Sequence, residues 1–162
     1  MTKTYLFPSQ FKKLGWMLLI PFGIALILYA TELVKFKLEV PVFTLLSEKG
    51  LSNGITFFKI IRNDIVDEII FTGLIVSLLL ISFSKEKDED EFTSQLRTNS
   101  LIWSLLISYT ILILSILFIY DLVFLEVLYL NMILILAIYA VKFNITLYNL
   151  RKSIKNEEQL KS

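Results

Sequence analysis

The chain has 162 residues, 56% of them apolar and 19% charged, and a mean hydropathy of +0.70; soluble domains are about 45–50% apolar, so an ordinary water-soluble protein is excluded. Sixteen Lys and Arg against 15 Asp and Glu leave a net charge of +1, without the strongly basic face that direct nucleic-acid binding needs. The chain has no Cys and no His, which removes disulfides, thiolate nucleophiles, imidazole bases, His-ligated haem and the common zinc sites.

A membrane-crossing helix needs about 20 mostly apolar residues, so the uncharged runs between successive charges mark the candidates. Residues 14–31 form an uncharged run of 18 and predict a first span, TM1, over about 14–33. A cleaved signal peptide is the competing reading of this run. Its 18 residues exceed the usual apolar region of about 7–15, and Leu28-Tyr29-Ala30 has no small residue at the −3 position.

In the following segment, apolar and polar residues alternate over 34–42, the pattern of a strand with one wet face. Ser47-Glu48-Lys49-Gly50 and Ser52-Asn53-Gly54 supply turn residues, and 55–61 are rich in β-branched and aromatic side chains. The loop predicts a small hairpin. Because an isolated two-stranded hairpin is marginal in water, short interfacial helices around Phe43-Thr44-Leu45-Leu46 and Phe57-Phe58 are the alternative.

Residues 69–84 form an uncharged run of 16, so TM2, over about 64–84, must take its first turn from an acidic segment. Ser84-Lys85-Glu86-Lys87-Asp88-Glu89-Asp90-Glu91 follows, with Arg97 beyond it; five carboxylates against three cations give this loop a local charge of −2. One reading is a solvated helical continuation from TM2 to TM3. The other is a docking surface for a basic partner, carried by Asp88, Glu89, Asp90, Glu91 and Arg97.

The 23-residue run 98–120 predicts TM3 over 99–120, and the 15-residue run 127–141 predicts TM4 over 122–143. Past Phe143, TM4 should emerge as an amphipathic helix that frays after about Lys155, leaving 156–162 as a polar tail. The fold class is an all-α integral membrane protein, a four-transmembrane-helix bundle forming one domain over 1–155, with a small exoplasmic loop. Eleven Lys and Arg lie in the N-terminal tail, the 84–98 loop and the segment from Lys142 on, and the other five lie in the 32–63 loop. Cytoplasmic segments carry the positive excess, so both termini should be cytoplasmic and the membrane the bacterial inner one.

Polar groups inside spans map the bundle interior. Ser104, Ser108 and Ser115 share one face of TM3, Gly73 and Ser77 form a small-xxx-small pair on TM2, and Gly23 and Ala30 share a face of TM1. Asn131 is the deepest strongly polar side chain, placed to bond to a serine across the bundle or to join protomers in a homo-oligomer. Six carboxylates, Glu32, Asp64, Asp67, Glu68, Asp121 and Glu126, fall at span ends on the exoplasmic rim. Asp67, Glu68 and Glu126 are the weak candidates for a hard-cation site. Helix capping with Lys35, Lys59 and Arg62 as counter-ions explains the acids without one, so no metal or other cofactor is assigned.

Phe57-Phe58-Lys59-Ile60-Ile61, Asn63-Asp64, Asp67-Glu68-Ile69, Phe83-Ser84-Lys85-Glu86-Lys87-Asp88-Glu89-Asp90-Glu91, Leu96-Arg97 and Ser100 together resemble a group of small uncharacterised four-span membrane proteins of Bacteroidota. Those proteins share a KEKDEDE…LR…S loop, and the resemblance covers roughly residues 57–150. It implies four spans, no catalytic residue, and at most a helix-turn-helix regulator as partner. The expected function is non-enzymatic: an accessory subunit or membrane anchor that acts by interaction with a cytoplasmic protein. A small transporter or channel using the carboxylate rim is the alternative, weakened by the lack of an ionisable residue near the middle of any span. An integral-membrane enzyme would need an all-carboxylate centre, for which the sequence offers only residues at helix starts.

Overall fold

Residues 6–31, 37–48, 55–86 and 90–161 are described in this computed structural model. In chain order they form α1 (Gln10–Ala30), β1 (Glu39–Glu48), β2 (Ile55–Asp64), α2 (Val66–Ser82), α3 (Glu91–Phe118) and α4 (Asp121–Lys161). Three helices are long and apolar enough to cross a membrane: α1, α3, and α4 over Asp121–Asn156. The fourth, α2, has 17 residues. By contact the chain divides into two compact units, Ile20–Gly73 on the one hand and Met1–Leu19 with Leu74–Ser162 on the other.

In the first of these, β1 and β2 pair antiparallel from Glu39↔Asp64 to Glu48↔Ile55. The hairpin of the sequence expectation is therefore present, with its first strand displaced toward the turn. Residues 43–46 and 57–58, the candidate interfacial helices, are strand, because pairing satisfies their backbone groups and their side chains are of strand-forming types. Residues 34–36, where the alternation begins, and the turn residues 49–54 lie outside the described set. The ladder is uneven at Phe58, whose φ of 50° is strained for a bulky residue; beside it the Thr44 hydroxyl donates to the Lys59 carbonyl at 2.8 Å. Asp64 closes the base of the hairpin, one oxygen accepting from the backbone N–H of Leu38 at 3.0 Å and of Val66 at 3.3 Å. It thereby satisfies a free donor in the first turn of α2. Within this unit a Cβ added to Gly73 would lie 2.4–2.5 Å from the Phe22 ring, so a glycine is required for that approach.

In the second unit, α3 and α4 are joined by a turn of two residues and pack along each other. Asp121, which opens α4, has a φ of 62°, a conformation Asp tolerates better than most residues. The buried residues of α3 are Thr93, Arg97, Ser100, Ser104, Ser108 and Ser115. Not one is a large aliphatic. Apolar surface gains nothing by leaving lipid, so the faces between membrane helices favour small residues that let backbones close up. The fully buried apolar residues come from α2 and α4: Leu78, Ile81 and Ala140 form one cluster, and Tyr139, Phe143 and Leu147, with Leu96 and Leu101 of α3 packed against them, form another. A Cβ on Gly15 would meet Ile81 Cγ1 at 2.8 Å and the Ser77 carbonyl at 2.9 Å. By contrast, a Cβ on Gly23 would meet nothing within 4 Å. The close approach on α1 is thus at Gly15, not in the Gly23–Ala30 pair read from the sequence, since shared spacing marks a face without saying what stands opposite.

Two boundaries differ from expectation. Helix α4 continues to Lys161, past Lys155, since no Gly or Pro interrupts it and propensity carries it on. The segment joining α2 to α3 is not one helical continuation. Ser82 ends α2, residues 83–86 are extended or bent, and α3 restarts after Asp90.

Candidate functional site

The break after α2 has a physical cause. Phe7 lies alongside residues 83–85, its N–H donating to the Phe83 carbonyl and its carbonyl accepting from the Lys85 N–H, both at 2.8 Å. The result is a parallel bridge between Phe7 and Ser84. These backbone groups are then unavailable to continue the helix, and each has the partner that a buried amide requires.

The bridge delivers Glu86 to a place where it is 9% exposed. There its carboxylate accepts from Lys12 Nζ on α1 and, at 3.2 Å, from Arg151 Nη2 on α4. The partners lie 74 and 65 residues away in sequence, so one side chain ties three distant parts of the unit together. Close by, Arg97 of α3, 7% exposed, donates to the carbonyls of Ser82 at 2.7 Å and Ser84 at 3.2 Å. These carbonyls belong to the end of α2 and the bridge, where intrahelical donors run out. Its guanidinium lies over the Phe143 ring at 4.5 Å, within cation–π range, and the same ring is 5.7 Å from Lys12 Nζ. Tyr139 completes the cluster by donating its hydroxyl to the Ser82 carbonyl at 3.3 Å and packing on Phe83 and Phe143. Chemically this is a clamp. Glu86 is held by two cations and the guanidinium of Arg97 is engaged with carbonyls, so the arrangement immobilises the segments that meet there.

The residues proposed for docking are dispersed. Asp88 and Glu89 lie outside the described set. Asp90 is the N-cap of α3, accepting from the Thr93 N–H at 2.7 Å. Hydrogen bonds from the Thr93 side chain and then its backbone hold the Asp90 carboxyl below its ordinary 3.8. Glu91 is exposed in the first turn of α3. Arg97 is inside the clamp, withdrawn from any surface a partner would touch.

Of the polar residues within the apolar helices, the structure joins Asn131 to Ser108. Ser104, Ser108 and Ser115 are all buried, and Asn131 Nδ2 donates to the Ser108 backbone carbonyl at 3.1 Å. The bond goes to the backbone, not to a serine hydroxyl: Ser104 and Ser115 turn their hydroxyls to their own helix, toward Leu101 and Ile111.

The carboxylates of the proposed rim are engaged locally where they are engaged at all. Asp64 caps α2 as described, and Glu68 accepts from Asn63 Nδ2 at 3.1 Å. Among the described residues, none of Asp64, Asp67 and Glu68 makes an ion pair with Lys59 or Arg62, and no group of three or more acids could hold a metal ion. Asp121 and Glu126 are exposed, while Glu32 lies outside the described set.

Sequence reasoning missed the clamp. Lys12 and Arg151 entered it only as part of a positive count and Glu86 only as one of five acids, and no spacing in the chain relates the three. Comparison with protein-family models, with curated proteins and with solved structures finds no match.

Proposed function

We propose that this is a four-span protein of the bacterial cytoplasmic membrane, with both termini in the cytoplasm, that performs no catalysis and serves as an accessory subunit or anchor for a cytoplasmic protein. Kinship with the four-span Bacteroidota proteins is part of the same proposal. The 11-to-5 distribution of Lys and Arg supports cytoplasmic termini, and termini on one side require an even number of spans. At 1.5 Å per residue the 17-residue α2 is about 26 Å long, at the short end of known spans, and serves as the fourth.

The observation that carries the interaction reading is the length of α4. Its 41 residues extend about 62 Å, twice the ~30 Å of hydrocarbon, so its second half projects from the membrane as a helical arm. Along that arm residues 151–156 are all exposed, while Glu86 grips its root at Arg151. An arm braced in this way suits the presentation of a surface. With Glu86 buried and Asp90 capping α3, the acids that remain for a basic partner are Asp88, Glu89 and Glu91.

Because the chain has no native cysteine, single cysteines test the orientation cleanly. An impermeant thiol reagent applied to intact cells should label position 48 and not 88; the reverse pattern overturns the threading. For the function, capture in mild detergent should recover one stoichiometric partner. That partner should be lost when the chain ends after residue 152, and should weaken with salt and with neutralisation of Asp88, Glu89 and Glu91, because exposed charges are screened beyond ~8 Å at physiological salt. A chain that stays alone and conducts ions in liposomes would overturn the proposal in favour of a channel.

A further inference from the structure

Beside the seam between α3 and α4 runs an open groove of about 480 Å³, lined by Ile107 of α3 and by Ala137, Ile138, Val141, Lys142, Ile145 and Thr146 of α4. Its lining is almost wholly apolar, and Val141 and Ile145 are 55% and 54% exposed. These residues are turned outward, toward whatever surrounds the helix pair. Lys142 ends the 127–141 uncharged run, and its Nζ stands 4.2 Å from the Trp103 ring. Trp103 lies one helical turn before Ile107 on α3 and is itself 54% exposed. Lys142 and Trp103 thus stand where the apolar stretch of Ile107, Ala137, Ile138 and Val141 stops, with Ile145 and Thr146 one turn further along α4.

That polarity matches one molecule. Exposed tryptophan is characteristic of the membrane–water interface. A lysine there lays its methylene stem along apolar surface and lifts the ammonium to headgroup level. Among the described residues no carboxylate lies within ion-pair distance of Lys142, and the Thr146 hydroxyl is turned to the Lys142 carbonyl at 2.8 Å. The ammonium is therefore the group presented to a headgroup. We propose that the groove is a binding site for an anionic phospholipid, one acyl chain lying along Ile107, Ala137, Ile138 and Val141 and the headgroup phosphate resting on Lys142 beside Trp103. The site rests on α3 and α4 crossing the membrane and is independent of any protein partner.

Trp103 is the natural reporter, because Trp16→Phe leaves it as the single tryptophan of the chain. The full-length variant is reconstituted in phosphatidylcholine vesicles containing a small fraction of acyl-brominated phosphatidylglycerol or of acyl-brominated phosphatidylcholine, and quenching of Trp103 is followed. The anionic lipid should be enriched at Trp103 about fivefold over phosphatidylcholine, the preference that ~1 kcal/mol per basic side chain near an anionic surface converts to. Lys142→Gln should abolish the preference and Lys142→Arg keep it, with helix content unchanged in both. Equal quenching by the two lipids, with Trp103 still quenched, would overturn the site while leaving the membrane reading intact. Absence of quenching by either lipid would overturn both. If chains carrying Ile138→Cys cross-link to one another in the membrane, the groove belongs to a second copy of the chain and the lipid site falls.

Discussion

Two short acidic stretches of this chain have opposite fates. At the base of the hairpin, Asp64 and Glu68 are satisfied by neighbours: Asp64 by the backbone of Val66 and of Leu38, which enters the same hairpin, and Glu68 by Asn63. After α2, Glu86 is buried and held by Lys12 and Arg151 from the two ends of the chain. The difference lies in what the backbone does just before each acid. At Asp64 a strand passes into a helix, leaving free N–H groups for a carboxylate to accept from; at Glu86 a helix has been stopped by a bridge to Phe7, and the Glu86 side chain is buried two residues after it. A run of acids is therefore not a unit of function, and its members divide according to the backbone that carries them.

The largest test of this contrast is Glu86→Gln. Removing one partner from a buried ion pair costs about 3–5 kcal/mol. Because Arg151 is 49% exposed and water would solvate it in part, about 2–3 kcal/mol is expected here. Thermal melting in mild detergent should fall accordingly, and proteolysis near Lys12 and Arg151 should accelerate. Gly15→Ala should follow at about 1–3 kcal/mol, the range for overpacking, because the added methyl would face the Ser77 backbone carbonyl at 2.9 Å and backbone yields poorly. Gly23→Ala, opposite open space, should leave the melting temperature unchanged.

Asn131→Leu should lose about 0.6 kcal/mol and at most ~1.7, the measured scale of hydrogen bonds between membrane helices. Unfolding in rising SDS reads this loss. Asp90→Ala should fray the first turn of α3, seen as faster amide exchange at residues 91–94. Since the Asp90 carboxyl titrates below its ordinary 3.8 in the fold, the cap is fully present above that pH. It is lost as the pH falls through the lower folded value, and the variant and the parent should converge in acid. The smallest effect should be at Glu68→Gln, under about 0.5 kcal/mol as for an ordinary surface substitution, with no change in calcium response. If Glu68→Gln destabilised the protein as much as Glu86→Gln, the contrast between the two stretches would be wrong.

Much of the architecture was legible beforehand because it follows from local rules. Charge-free runs located the apolar helices, since a charge within hydrocarbon is costly. The β-branched and aromatic run at 55–61 located the second strand, and the Ser104, Ser108 and Ser115 spacing located the buried face of α3. Burial of that face shows in composition because close helix approach demands small residues whatever the partner. The first strand was read too early, because alternation marks strand-like sequence without fixing the register of pairing.

What the tertiary structure alone decided is which far-apart residues meet. Gly15, not Gly23, takes the close contact; Arg97 turns inward to the Ser82 and Ser84 carbonyls; Lys12, Glu86 and Arg151 converge; Lys142 comes over Trp103. Local sequence fixes a residue's helix face or strand side through the periods of 3.6 and 2. The partner opposite depends on how the elements pack against one another, and for a clamp whose members lie 74 and 65 residues apart no local pattern encodes it.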